Sequence, residues 1–173
     1  MKKSKYTVKI NAQNASSHRF IISIECLEGS FPSSLAFPVW TPGSYLVREY
    51  ARHVTKLKGG EKINKNTWAI ASTVKKVEYE VYAFEKTVRT SFLDENYASI
   101  VGATLLPLLK GSFTVQFEFP KNWDFIAGEL VFKKFAPGKW ITQIENDDEW
   151  IDSPIAAARP GFYGYGSFQS RGK

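Results

Sequence analysis

The 173-residue chain is long enough to bury a core without disulfides or metal, and its composition of 43% hydrophobic, 15% aromatic and 23% charged residues excludes a disordered protein. A formal net charge of +6 gathers partly at the ends, in Lys2, Lys3, Lys5, Arg159, Arg171 and Lys173, and supports nucleic-acid binding only weakly. The single cysteine, Cys26, excludes an intramolecular disulfide and a cysteine-rich metal site.

Strand signals begin at once. Tyr6, Val8 and Ile10 alternate with Thr7 and Lys9, leaving no continuous apolar run for a signal peptide, and nothing further along is long enough to span a bilayer. A cytoplasmic protein that avoids membranes is the expectation. After a turn-like segment from Asn11 to Ser17, Phe20, Ile22, Ile24 and Cys26 alternate with Arg19, Ile21, Ser23 and Glu25 as a second strand. Glu28 to Ser34 reads as a loop.

The stretch from Phe37 to Val54 gathers turn chemistry, aromatics, both signs of charge and a histidine. Pro38 favours an extended Phe37, and Pro42-Gly43 suits the centre of a type II turn. An extended continuation would set Leu46, Arg48, Tyr50, Arg52 and Val54 on one face, with Val47, Glu49, Ala51 and His53 on the other. Two arginines flanking a tyrosine on one strand face need an acidic partner, a ligand or solvent.

A meander is expected next: Val54 to Leu57, a Gly59-Gly60 hairpin turn, Glu61 to Asn64, then Thr67 to Ser72. Val77, Tyr79, Val81 and Ala83 interleave with Glu78, Glu80 and Tyr82 as the clearest strand. Val88 to Phe92 reads as another strand, broken by Asp94-Glu95-Asn96. Tyr97 to Leu109 fits either a short helix or a buried loop, since Gly102 and Pro107 oppose a long helix. Phe113, Val115, Phe117 and Phe119 mark a further strand, and Leu130 to Phe135 with Lys139 to Glu145 bracket an Ala136-Pro137-Gly138 turn. Together these predict an all-β chain, an antiparallel β-sandwich with at most one short helix over residues 1–157. A loosely ordered glycine and aromatic tail over 158–173 completes it.

Chemistry is sparse. His18 and His53 are the only histidines, far apart, so a metal site within the chain is not expected. No serine sits in a Gly-x-Ser-x-Gly elbow, and Cys26 falls on an apolar strand face. Asp94, Glu95, Asp147, Asp148, Glu149 and Asp152 could offer carboxylate pairs for acid/base work, but acidic clusters in loops read more readily as solvated turns. A platform of Trp40, Tyr45, Tyr50, Trp123 or Trp140 for peptide or carbohydrate is the alternative reading, weighed against the tendency of aromatics to fill cores.

Pro38-Val39-Trp40-Thr41-Pro42-Gly43-Ser44-Tyr45-Leu46-Val47-Arg48-Glu49-Tyr50-Ala51-Arg52-His53 resembles the hallmark of the N-terminal domain of glycyl aminopeptidase-type zinc metallopeptidases, metallopeptidase family 61. Val81 to Asp94 with Gly102-Ala103-Thr104-Leu105 is similar to that domain's second block, and Asp152-Ser153-Pro154-Ile155 resembles its passage into the catalytic domain. The resemblance implies a non-catalytic N-terminal β-domain that helps wall a substrate cleft, with the zinc and its His-Glu-x-x-His helix belonging to a separate catalytic domain. No cofactor is expected here. Trp40, Tyr45, Arg48, Glu49, Tyr50, Arg52, His53, Arg89 and Asp94 are the candidate interface or binding residues. A metallopeptidase catalytic domain, a peptide or a second copy are the expected partners, and nucleic acid is not. Arg48 and Arg89 are expected to be partly buried and paired with Glu49, Asp94 or Glu95.

Overall fold

The structure, a computed structural model, describes residues 4–41 and 46–163. Its frame is a seven-stranded sheet made of β1 (Tyr6–Asn11), β2 (Arg19–Cys26), β4 (Val54–Lys58), β7 (Lys76–Tyr82), β10 (Phe113–Glu118), β12 (Lys133–Ala136) and β13 (Lys139–Ile144), in the order β12-β13-β10-β1-β2-β7-β4. Alternation fixes its inner face. Tyr6, Val8, Ile10, Phe20, Ile22, Ile24, Val77, Tyr79, Val81, Phe113, Val115 and Phe117 are buried, while the intervening residues stay partly or fully exposed.

Two smaller sheets and the helices cover that face. One sheet contains β8 (Phe92–Leu93), β9 (Tyr97–Ile100), β11 (Phe125–Gly128) and β14 (Ile155–Ala158), in the order β11-β14-β9-β8. The other contains β3 (Ser34–Ala36), β5 (Glu61–Lys62) and β6 (Thr67–Ala69), in the order β3-β6-β5. Helix α1 (Gly102–Leu105) and helix α2 (Asp147–Asp152) pack against each other, and Trp150 stacks near Phe117 and meets Phe113 edge-on. The chain is therefore all-β, as its alternation predicts, with two short α-helices where at most one is expected. The pairing is mixed: β1 and β10 run parallel from Tyr6 opposite Phe113 to Asn11 opposite Glu118, and every other pair is antiparallel.

Several local expectations change. Gly59-Gly60 does not close a hairpin, because β4 pairs with β7 in the large sheet and β5 with β6 in the small one. Gly59 has φ +89, and a Cβ there would lie 2.5 Å from the Lys76 carbonyl, so the glycine permits the crossing between sheets. The strand from Val88 shortens to Phe92–Leu93, with Val88 93% exposed. The acidic cluster is the start of a helix: Asn146 caps α2 through the Glu149 amide, and the Asp147 carboxylate accepts the Leu109 and Lys110 amides at 2.9 Å each. The first tail residues are tied down, since the Arg159 guanidinium donates to Asn96 at 2.8 Å and Tyr163 stacks on Phe125. The rest of the tail lies outside the described residues.

Candidate functional site

The loop from Phe37 to Glu49 is anchored at both ends by burial. Phe37 is 3% exposed, packed edge-on against Trp68 and Tyr79, and its amide donates to the Asn66 carbonyl. Tyr50 is 2% exposed, with its hydroxyl 3.4 Å from the Thr41 hydroxyl. Between these anchors the Arg48 amide donates to the Val39 carbonyl at 2.6 Å, closing the base of the loop. The Pro42-Gly43 turn and Tyr45 lie outside the described residues.

The expected strand beyond Leu46 is absent. Tyr50–His53 is a single 3-10 turn, so the two-face arrangement of arginines does not form, and strand geometry resumes only at Val54. The turn buries Tyr50 and Ala51 and sends Arg52 and His53 to the surface side. A platform that includes Tyr50 is therefore excluded, and Trp123 and Trp140 are likewise core residues, 1% and 4% exposed. On either side of the undescribed residues 42–45, Trp40, Leu46 and Val47 are 52%, 59% and 77% exposed.

The charges divide into pairs that the sequence did not suggest. Glu49 accepts from Lys65 at 3.0 Å, both side chains largely in solvent. Arg52 grips Glu85 with two contacts from one nitrogen, at 3.1 and 3.3 Å, while its Nε donates to His53 Nε2 at 2.9 Å. His53 Nε2 is then an acceptor, and Glu85 lies 3.5 Å from it. Burial holds the His53 imidazole below its ordinary value of 6.5, with the Arg52 charge adding to the effect and Glu85 opposing it. A cavity of about 10 Å³ beside His53, Glu85, Thr90 and Thr104 has room for a water and no larger ligand. Glu85 lies inside the second sequence block, and its role was not legible because its partners sit on another element.

The expected pairing of Arg48 and Arg89 is overturned. Arg89 is exposed and pairs with no described carboxylate, and Asp94 instead accepts the Asn96 and Tyr97 amides of its own turn at 2.8 and 3.0 Å. Arg48 is partly buried, and its Nε is enclosed without a hydrogen-bond partner. Among the described residues no group of histidine, cysteine, aspartate and glutamate is arranged to hold a metal, and no helix is long and apolar enough to cross a membrane.

No curated protein matches the chain. An aminopeptidase N family protein from Idiomarina loihiensis has a crystal structure similar to this one, with a TM-score of 0.78 and 24% identity over 88% of this chain and 29% of that one. That likeness shows the shared fold, and this chain spans less than a third of its neighbour. The M1 zinc metallopeptidase from Deinococcus radiodurans is more distant, with a TM-score of 0.45 and 8% identity over 88% of this chain and 41% of that one. Residues 5–159 match the family described as the Peptidase M61 N-terminal domain. The matched span takes in buried Phe37 and Tyr50, the Arg52–Glu85 pair and the last strand, so the chain belongs to the Peptidase M61 N-terminal domain family.

Proposed function

We propose that this chain is a non-catalytic module of a glycyl aminopeptidase-like metallopeptidase, packing beside a catalytic segment and shaping one wall of its substrate cleft. The observation that carries the reading is the coincidence of the family match over residues 5–159 with exposed Trp40, Leu46 and Val47 between the buried Phe37 and Tyr50. Exposed apolar side chains close together in one stretch of chain suit a protein contact. Two histidines at positions 18 and 53 supply no His-Glu-x-x-His helix, which leaves zinc and the general base to the catalytic segment. The module works in the cytoplasm.

The test uses the purified chain and a His-Glu-x-x-His peptidase segment from the same genome. The chain alone should neither retain stoichiometric zinc nor hydrolyse a glycyl anilide, and it should form a 1:1 complex with the segment in size-exclusion chromatography. Stoichiometric zinc with turnover by the chain alone, or no complex, would overturn the reading.

A further inference from the structure

One carboxylate, Glu85, lies within reach of both Arg52 and His53, and the protonation of a single ring nitrogen decides which of them bonds it. The Arg52 Nε–H donates to His53 Nε2 at 2.9 Å, so that nitrogen presents its lone pair and the proton of the neutral ring sits on Nδ1. A second nitrogen of the same guanidinium reaches both Glu85 oxygens, at 3.1 and 3.3 Å. Glu85 Oε1 stands 3.5 Å from His53 Nε2, within ion-pair range of a ring that has no hydrogen to give it. The three groups differ in freedom. The His53 side chain is only 16% exposed, and the Glu85 backbone is fixed because its carbonyl accepts the Thr87 amide at 2.9 Å and the Thr90 hydroxyl at 3.3 Å. The Arg52 side chain is 57% exposed, so it is the one that can move.

A proton on Nε2 removes the acceptor and sets two N–H-bearing cations 2.9 Å apart, an arrangement that cannot persist. The geometry points to a proton-driven exchange of partners: when His53 takes a proton its Nε2–H bonds Glu85, and Arg52 gives up the carboxylate and becomes a free cation on the surface. The Tyr50–His53 turn thereby stays tied to the segment that follows β7 in both states, by a different residue in each. Other titratable groups on the neighbouring elements are engaged elsewhere. The elements packed against the turn are β4, β7 and α1, and α1 carries no titratable residue. Lys56 of β4 is held on Glu80 at 2.9 Å, while Lys58 of β4 and Lys76 of β7 act on Glu78. Tyr79 bonds the Leu105 carbonyl, and Tyr82, which lines the small cavity beside His53, has the Arg19 guanidinium 5.4 Å from its ring. The charges acting on the ring are thus Arg52 and Glu85. Burial and the Arg52 charge hold the exchange to a pH below the ordinary 6.5, against the pull of Glu85.

The test is an NMR titration of the isotope-labelled 173-residue chain, followed downward from neutral pH at the His53 ring nitrogens, the Arg52 Nε and the Glu85 carboxyl carbon. At neutral pH the His53 proton should be found on Nδ1, the minor position in free histidine. As the ring titrates, the Arg52 Nε resonance should move toward that of a solvated arginine with the same midpoint, while the Glu85 carbon keeps its ionised position. Arg52→Met should shift the His53 midpoint upward, because it removes both a neighbouring cation and the donor that needs the neutral ring. His53→Gln retains an acceptor that cannot titrate, and in that variant the Arg52 resonance should stay in place over the same range. A neutral ring protonated on Nε2 overturns the inference. So does an Arg52 resonance that ignores the His53 titration, which would mark a buried histidine with no exchange, or one that moves equally in His53→Gln.

Discussion

The Trp150 indole N–H donates to the Gly102 carbonyl at 3.0 Å, and Gly102 has no space for a side chain because a Cβ there would run into the Trp150 carbonyl oxygen and approach its Nε1 to 2.8 Å. This contact clamps α1 to α2. It also orients the indole against Phe113 and Phe117 of the large sheet. Gly102→Ala should therefore destabilise the chain by about 1–3 kcal/mol through overpacking, seen as a lower unfolding midpoint. An unchanged midpoint would show that the helices can separate at no cost.

Tyr79 reaches across the core to bond the Leu105 carbonyl at the end of α1, 2.7 Å away. Burial pushes the phenol well above its ordinary value of 10.0, so it remains a donor at every pH at which the protein is studied. Tyr79→Phe leaves that carbonyl without its partner and should cost about 1–3 kcal/mol in denaturant unfolding.

The Asp147 carboxylate holds two consecutive amides, Leu109 and Lys110, and Lys110 has φ +54. Asp147→Ala should cost about 1–3 kcal/mol by releasing both donors. Amide exchange should report it locally, as lost protection at Leu109 and Lys110 ahead of the strands.

Glu118 is 7% exposed on β10 and lies 2.9 Å from Lys139 and 3.0 Å from Lys9. Burial works to raise its carboxyl, but the hydrogen bonds and charges of the two lysines outweigh it and hold the group below its ordinary 4.5. The unfolded chain then binds the proton more readily. The stabilisation is complete above pH 4.5 and is lost as pH falls through the lower folded value. Glu118→Gln should be less stable than wild type at neutral pH, and the gap should narrow below that point.

His53 gives a second, higher window. Its folded value lies below 6.5, so the neutral ring favours the fold above that pH and the contribution fades as pH drops through the folded value. NMR titration of the ring should show protonation at lower pH than a free histidine. Glu85→Gln should push it lower still, because that carboxylate is the one group raising it.

Much of the architecture follows from period-two alternation. Tyr6, Val8, Ile10 and Val77, Tyr79, Val81 announce buried faces from local spacing, and they are buried. Expectations failed where alternation was read from mixed residues. Arg48, Tyr50 and Arg52 suggested a strand face, yet Tyr50 is core while Arg52 turns outward to Glu85, and only a 3-10 turn separates them so sharply. Likewise, the acidic run at Asp147 looked like solvent-facing turns because its acceptor role depends on amides 38 and 37 residues away.

By itself the sequence determined an all-β chain, the buried faces of its alternating strands, the family to which it belongs and the single stretch that gathers Trp40, Arg48 and His53. Alternation and turn chemistry are local, so they can be read without knowing any partner. Tertiary structure alone decided that β1 runs parallel to β10, that β4 leaves its sequence neighbour β5 to pair with β7, and that Arg52 finds Glu85 while Arg48 finds no carboxylate. Those outcomes depend on which distant segments meet, and a face pattern specifies what is buried without specifying against what.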